Sequence, residues 1–346
     1  MRTFTWRPAV IVAFWVVGPG ALLAQTPEVW FMPNNHIGWD SDWHGINNPL
    51  NVYALFDHPE QWREARSRID VLGFPSRQLD MHFSDDQLRR NFALMKQWGL
   101  KLGLELGATK AFSDSRVMTG EQAFLVRKKE IDRFQRLGGK VYSIAMDIPY
   151  TTYRSYLLKK KPASEVDQLA VREVASFVAL MRKEYPDMRI GEIGSMIMRH
   201  SQPITPLEDH IAHIDALQAK LKSMHVRGLD FYRVETDINF TDGVSLLDIK
   251  ALQDACHARG LGFSLILITV FNVPLHPFRL ADDFASYDGM FMRAYLFRMV
   301  GGAPDEWVLE SWVPFPVEAI PEEKQWTYTR CVRDFCRTFV PQKIRP

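Results

Sequence analysis

Residues 100–106 read LKLGLEL and residues 141–148 read VYSIAMDI, and a stretch of helical pattern follows each of these apolar runs. Each run has the length of one buried strand. Alternation of buried strands with amphipathic helices is typical of a parallel sheet, because two parallel strands need a crossover connection that packs on the sheet. The two runs therefore predict neighbouring strands of a parallel sheet.

The same alternation extends along the chain in both directions and gives eight strands. The other six runs are VWFMP from Val29, IDVLGF from Ile69, RIGEIG from Arg189, LDFYRVETDI from Leu229, GFSLILIT from Gly262 and EWVLESW from Glu306. Eight strand-helix units predict an α/β fold of the (β/α)8 TIM-barrel type. A doubly wound open sheet is the alternative, and it is less favoured because no glycine-rich phosphate-binding motif follows the first strand.

The first 24 residues have the pattern of a secretory signal peptide. Arg2 and Arg7 precede the apolar run PAVIVAFWVV, and the segment GPGALLAQ follows it. We expect cleavage after Ala24, which makes residues 25–346 one catalytic barrel domain that is secreted or periplasmic. No later run is long and apolar enough to cross a bilayer, so no integral membrane segment is expected. The sequence makes no prediction about the oligomeric state.

Composition narrows the class of ligand. The chain has 42 Lys and Arg against 41 Asp and Glu, and removal of Arg2 and Arg7 with the signal peptide leaves 40 against 41. This balance argues against nucleic acid or an anionic membrane as the main partner. Ten tryptophans in a chain that is 12% aromatic favour a flat, weakly charged ligand. Three cysteines without CxxC spacing predict neither a disulfide nor thiol chemistry.

Two strands direct an acid toward the predicted barrel interior. Active sites of such barrels lie at the C-terminal ends of the strands, and residues two apart on a strand share a face. In the fourth strand Asp147 shares a face with the small residues Ser143 and Ala145, and with Val141, opposite a bulky face that ends at Ile148. In the third strand Glu105 shares a face with glycines. We therefore expect Asp147 and Glu105 at the mouth of the barrel.

Three more strands carry charged residues near their ends. In the sixth strand Arg233, Glu235 and Asp237 share one face. Glu192 lies near the end of the fifth strand, where we also expect it to face inward, and Glu310 lies near the end of the eighth. Buried carboxylates cost several kcal/mol each unless they are paired or functional. Either Arg233 neutralises some of these acids in a structural network, or it contacts substrate.

A ring of acids at the mouth is what glycoside hydrolysis requires. One protonated carboxyl group donates its proton to the leaving oxygen, and an ionised one acts as nucleophile or base. Repulsion between neighbouring acids separates their pKa values and hence the two roles. The leading candidates for catalysis are Asp147 and Glu192, and the reserve candidates are Glu235, Asp237 and Glu105.

The loop after the first strand, PNNHIGWDSDWHGINNP (residues 33–49), is rich in groups that bind sugars. Asn, Asp and His form directional hydrogen bonds with hydroxyl groups, and Trp faces stack on pyranose rings. The predicted substrate-binding residues are Asn35, His36, Trp39, Asp40, Trp43, Arg233, Glu310 and Trp312. A metal site formed by His36, Asp40 and His44 is a less favoured alternative, because the spacing of these residues follows no established pattern of metal ligands. We therefore expect no metal and no cofactor.

Two histidines on a predicted helix have a spacing of three, in the segment HIAH. His210 and His213 lack the glutamate of the HExxH zinc motif. Exposure to solvent or at the barrel rim is therefore the expectation for both.

Three segments together resemble a group of exported bacterial barrel proteins described as glycoside-hydrolase-like. These are LKLGLELG (100–107), GGKVYSIAMDIPY (138–150) and MRIGEIG (188–194), and the resemblance spans about residues 70 to 315. It implies an inward glutamate in the third strand, an acid at the end of the fourth and an acid in the fifth, which correspond here to Glu105, Asp147 and Glu192. Ile148 stands where that group often has a second acid, and this departure removes one candidate proton donor.

The sequence thus favours a glycosidase that acts on a poly- or oligosaccharide. A sugar isomerase or epimerase that uses a divalent metal is one alternative, since such enzymes also place acids and histidines at a barrel mouth. A carbohydrate-binding barrel without catalysis is the other, and Ile148 is its best support. The fold alone does not decide between them.

Overall fold

Eight parallel strands form a closed barrel in the computed structural model. The structure describes residues 26–33, 51–109, 117–196, 205–237, 245–269, 282–311 and 315–342, with the backbone alone at residues 51, 237 and 269. The strands follow one another around the barrel in sequence order, and the eighth pairs with the first. The predicted (β/α)8 fold is confirmed, and the open doubly wound sheet is wrong.

Every strand predicted from the sequence is present, with ends shifted by at most two residues. The strands are β1 (Glu28–Met32), β2 (Val71–Pro75), β3 (Lys101–Leu106), β4 (Val141–Met146), β5 (Arg189–Ser195), β6 (Phe231–Asp237), β7 (Gly262–Thr269) and β8 (Glu306–Ser311).

Helices surround the barrel, and the described part of the chain contains eleven α-helices and one short 3-10 helix at Pro59–Trp62. They are α1 (Asn51–Asp57), α2 (Arg63–Arg68), α3 (Ser76–His82), α4 (Asp85–Gln97), α5 (Gly120–Arg136), α6 (Pro149–Leu157), α7 (Ala163–Glu184), α8 (Leu207–Ser223), α9 (Leu246–Ala258), α10 (Asp283–Met299) and α11 (Tyr328–Phe339). None of these helices is long and apolar enough to cross a membrane.

Two apolar layers define the inside and the outside of the barrel. The inner cluster includes Trp30, Ile193 and Phe231, whose side chains fill the barrel. The outer cluster includes alternate residues of the same strands, such as Ile190 and Tyr232, packed against the helices. Membership of one cluster or the other therefore shows which way each strand residue points.

Glycines on the inner face make room for aromatic rings. A Cβ atom added to Gly103 would lie 2.1 Å from the Trp30 ring, and one added to Gly191 would lie 2.2 Å from the Phe231 ring. The Trp30 ring thus fills the space beside Gly103, on the inward face of β3 that also carries Glu105. Backbone and ring pack closely here because a glycine carries no side chain.

A register shift at the start of β4 changes one predicted face. Val141 pairs with Leu102 and Ser143 pairs with Gly103, so Tyr142 is the extra residue. Val141 packs in the outer layer, whereas Tyr142 packs against the inner cluster and its hydroxyl hydrogen-bonds Glu28 at 3.0 Å. The predicted inward direction of Val141 is wrong because such a bulge reverses the alternation locally.

Candidate active site

Four acids on four strands face the interior at the C-terminal end of the barrel. We call them the mouth acids: Glu105 on β3, Asp147 directly after β4, Glu235 on β6 and Glu310 on β8. Glu235 and Glu310 follow Phe231 and Val308, which belong to the inner cluster, by even steps along their strands. Ala145 is inward in the same way and precedes Asp147 by two residues.

The register of the barrel places the mouth acids at similar heights. Glu105 pairs with Ala145, and the backbone N–H of Asp147 donates to the carbonyl of Leu106 at 2.7 Å. Glu235 pairs with Ser195 of β5, and Glu310 pairs with Ile268 of β7 and Met32 of β1. All four side chains are buried, with exposed fractions between 0% for Glu235 and 9% for Glu105. All four carboxyl groups therefore face the interior at the same end of the barrel and have little contact with bulk water.

The ends of β3 and β4 contain unusual backbone. Ala108 has φ of 29° and Ile148 has φ of 37°, and positive φ is a genuine outlier for a β-branched residue such as isoleucine. Ile148 lies between Asp147 and Pro149, where α6 begins, and its side chain belongs to the inner cluster. The predicted direction of Ile148, away from Asp147 and toward the helices, is wrong because the left-handed turn brings both side chains inward. Strain of this kind is often found at functional sites.

Glu192 does not belong to the mouth acids. Its neighbours at even steps are Ile190, in the outer cluster, and Gly194, where an added Cβ would lie 2.2 Å from the Tyr232 hydroxyl in that layer. The side chain is fully buried against the helices, and Oε1 lies 2.9 Å from Nε2 of His213. The predicted inward direction of Glu192 is therefore wrong, and its part in a catalytic pair stays an untested prediction.

A buried polar cluster surrounds Glu192 outside the barrel. His213 stacks on the ring of Tyr150 at 4.2 Å, and His210 Nδ1 lies 2.8 Å from the Tyr232 hydroxyl. The expected exposure of both histidines is wrong, since at most 3% of either is exposed. Burial, and then the neighbouring His213 and Arg154, lowers the pKa of His210 to about 3, so this ring is neutral. Burial also raises the pKa of Tyr150 to about 12.

Replacement of Glu192 tests its role on the outer face. Glu192→Gln keeps the shape but weakens the hydrogen bond with His213 in a dry environment, so we expect the free energy of unfolding to fall by about 1–3 kcal/mol. Turnover per folded molecule should stay unchanged, because the carboxylate faces away from the mouth. Denaturant unfolding and active-site-normalised kinetics measure the two quantities. A normal stability with a large loss of turnover would contradict this assignment.

Arg233 lies deeper in the barrel than the mouth acids. Its guanidinium donates to Oε2 of Glu306 at 2.9 Å and stacks over the Trp30 ring at 4.1 Å. Arg189 forms a second ion pair with Glu306 at 2.8 Å. Burial by itself would raise the pKa of Glu306, but the two arginines outweigh it and hold that pKa below its usual value. Arg233 thus occupies a structural ion pair at the first residue of β8, and substrate contact by this side chain stays an untested prediction.

Several predicted site residues lie outside the described part of the chain. They are the loop residues Asn35, His36, Trp39, Asp40, Trp43 and His44, and also Trp312 and the signal peptide; for Asp237 the backbone alone is described. Within the described ranges, no group of three or more His, Cys, Asp or Glu side chains is arranged to hold a metal ion.

Sequence reasoning missed one polar residue beside the mouth acids. Ser195 is the last residue of β5, 2% exposed, and pairs with Glu235. It points inward because Ile193, two residues earlier, is in the inner cluster. The alternation in β5 contained this signal, and the assumption that Glu192 faces inward obscured it.

Comparison with known proteins assigns the chain to no family. No protein-family model and no curated protein matches the chain. Among solved structures, D-psicose 3-epimerase with D-tagatose from Clostridium cellulolyticum H10 is similar with a TM-score of 0.49 at 12% identity, covering 90% of this chain and 99% of that one. Fungal β-1,4-galactanases are similar with a TM-score of 0.49 at 11% identity, covering 73% of this chain and 80% of that one. A psychrophilic family 10 endo-β-1,4-xylanase is similar with a TM-score of 0.47 at 10% identity, covering 83% of this chain and 86% of that one. At these scores we base no argument about activity on the similarity.

Proposed function

We propose that the protein is a secreted or periplasmic glycoside hydrolase that cleaves a poly- or oligosaccharide with the mouth acids. The observation that carries the proposal is that four buried carboxyl groups, on three strands and directly after a fourth, face the interior at the C-terminal end of the barrel. This is the end at which barrel enzymes carry out their chemistry.

Asp147 and Glu235 are the proposed catalytic pair. Glycoside hydrolysis needs carboxyl groups on two sides of the scissile bond, about 5 to 9.5 Å apart depending on the mechanism. One strand, β5, separates β4 from β6. Since neighbouring strands lie about 4.8 Å apart, two intervals give about 9–10 Å between backbones, and inward side chains reduce that gap. Glu235 thus replaces Glu192 as the partner of Asp147.

The reaction would break the bond between the anomeric carbon and the glycosidic oxygen. One carboxylic acid of the pair gives its proton to the departing oxygen, and the other, ionised, acts as nucleophile or as base toward water. A water molecule supplies the hydroxyl group on the anomeric carbon, and its remaining proton goes to the carboxylate pair. Glu105 and Glu310 face the same end of the barrel interior from β3 and β8.

A screen of the mature protein against diverse polysaccharides, with detection of new reducing ends, tests the proposed function. We expect reducing ends to appear with at least one polysaccharide and to persist with a chelator. Glu235→Gln should abolish the signal, while the matched variant Glu192→Gln, one strand away and on the opposite face, should retain it. Isomerisation of free sugars that a chelator stops would favour the epimerase class instead. Failure of every polysaccharide to react would contradict the proposal.

A further inference from the structure

Helix α10 carries apolar side chains on the side that faces solvent as well as on the side that packs on the barrel. Phe284, Met292, Tyr295 and Met299 are 54%, 44%, 58% and 67% exposed. The same side of the helix also carries the exposed charged residues Asp288 and Arg298. Contiguous exposed apolar surface usually marks an interaction site, and methionine and aromatic residues are enriched in the cores of protein interfaces.

The exposed face of α10 consists of two neighbouring ridges. Residues four apart lie one above another on a helix, so Phe284, Asp288 and Met292 form one ridge. Tyr295 and Met299 continue from the half-buried Phe291 to form the second ridge. Each ridge has two apolar ends, and each has a polar group at its centre, the Asp288 carboxylate in one and the Tyr295 hydroxyl in the other.

We propose that this face of α10 binds the same face of a second copy of the chain, antiparallel, around a two-fold axis that passes between Phe291 and Met292. In that arrangement the first ridge lies against the second ridge of the partner. Phe284 packs on the partner's Met299, and Asp288 accepts a hydrogen bond from the partner's Tyr295. Each contact occurs twice because of the symmetry.

Self-complementarity is the reason to choose a second copy over an unrelated protein. A two-fold interface brings one surface against itself, so each apolar group must meet an apolar group and each acceptor a donor. The two ridges of α10 meet this requirement over their whole length.

Sedimentation of the full mature protein, with one variant at the axis, tests the interface. We expect the wild type to be dimeric at micromolar concentration. Met292→Glu places two like charges next to the axis, and we expect association to weaken by at least about a hundredfold. The control is Leu125→Glu on α5, where the leucine is 61% exposed and should leave the dimer intact.

A charge-pair exchange tests the antiparallel register. Asp288→Lys and Tyr295→Glu should each weaken association by at least about tenfold, since each removes the central hydrogen bond. The double variant should recover association, because the new lysine faces the partner's new glutamate. In a parallel arrangement position 288 would face itself, and the double variant would not recover.

Either of two results would overturn the proposal. One is a wild-type protein that stays monomeric at these concentrations, whatever else then binds α10. The other is a dimer that Met292→Glu does not weaken. None of these measurements depends on turnover, so they test the interface independently of the proposed hydrolase activity.

Discussion

Asp147→Asn and Glu235→Gln will each lower kcat by at least about a hundredfold on the polysaccharide that the screen identifies. Each change keeps the shape of the side chain and removes the group that transfers a proton or supports the developing positive charge, and proton transfer alone contributes about that factor. Steady-state kinetics and thermal unfolding of the same preparations provide the measurement.

The control separates a catalytic acid from a structural one. Glu192→Gln has the same chemistry as Glu235→Gln, on a neighbouring strand and the outer face, so it should lose stability and keep its turnover. If Asp147→Asn or Glu235→Gln melts far below the wild type and retains normal turnover per folded molecule, that residue is structural. The catalytic pair would then have to be sought elsewhere among the mouth acids.

The fold could be predicted from the sequence because its evidence is repeated eight times. Each strand is a short apolar run followed by a helical pattern, and an error in one unit leaves the other seven unchanged. The capping box at the start of α4, in which Ser84 and Gln87 exchange hydrogen bonds, shows how local such signals are. The bulge at Tyr142 could not be predicted, since it depends on how β4 meets β3.

The direction of a strand side chain could be predicted from the sequence where the two faces of the strand differ in residue size, and could not be predicted where they do not. In β4 the small Ser143 and Ala145 showed the inward face, and Asp147 followed correctly. In β5 each face carries a glycine and an isoleucine, so the alternation was ambiguous, and the expectation of an acid pair decided wrongly for Glu192. The position of His213 explains the outward direction of Glu192. His213 lies on the buried face of α8, where its ring forms a hydrogen bond with this carboxylate.

The ion pair between Arg233 and Glu306 supports the opposite end of the barrel, and its loss should cost more stability than any other change considered. Arg233→Met leaves Glu306 buried with one arginine fewer, and removal of one partner of a buried pair costs about 3–5 kcal/mol. Glu306→Gln should cost a similar amount, since it strands Arg233, which is 1% exposed. Urea unfolding at neutral pH measures both effects.

A double variant and a pH series distinguish this pair from simple loss of packing. Arg233→Met with Glu306→Leu removes both charges together, so the double variant should be more stable than the sum of the single losses predicts. The pKa of Glu306 is lower in the folded than in the unfolded state, so its contribution is complete above the unfolded pKa and is lost as the pH falls through the folded pKa. The stability gap between wild type and Glu306→Gln should therefore be largest at neutral pH and shrink in acid. A gap that is constant across that range would mean that the carboxylate contributes through its shape and not through its charge.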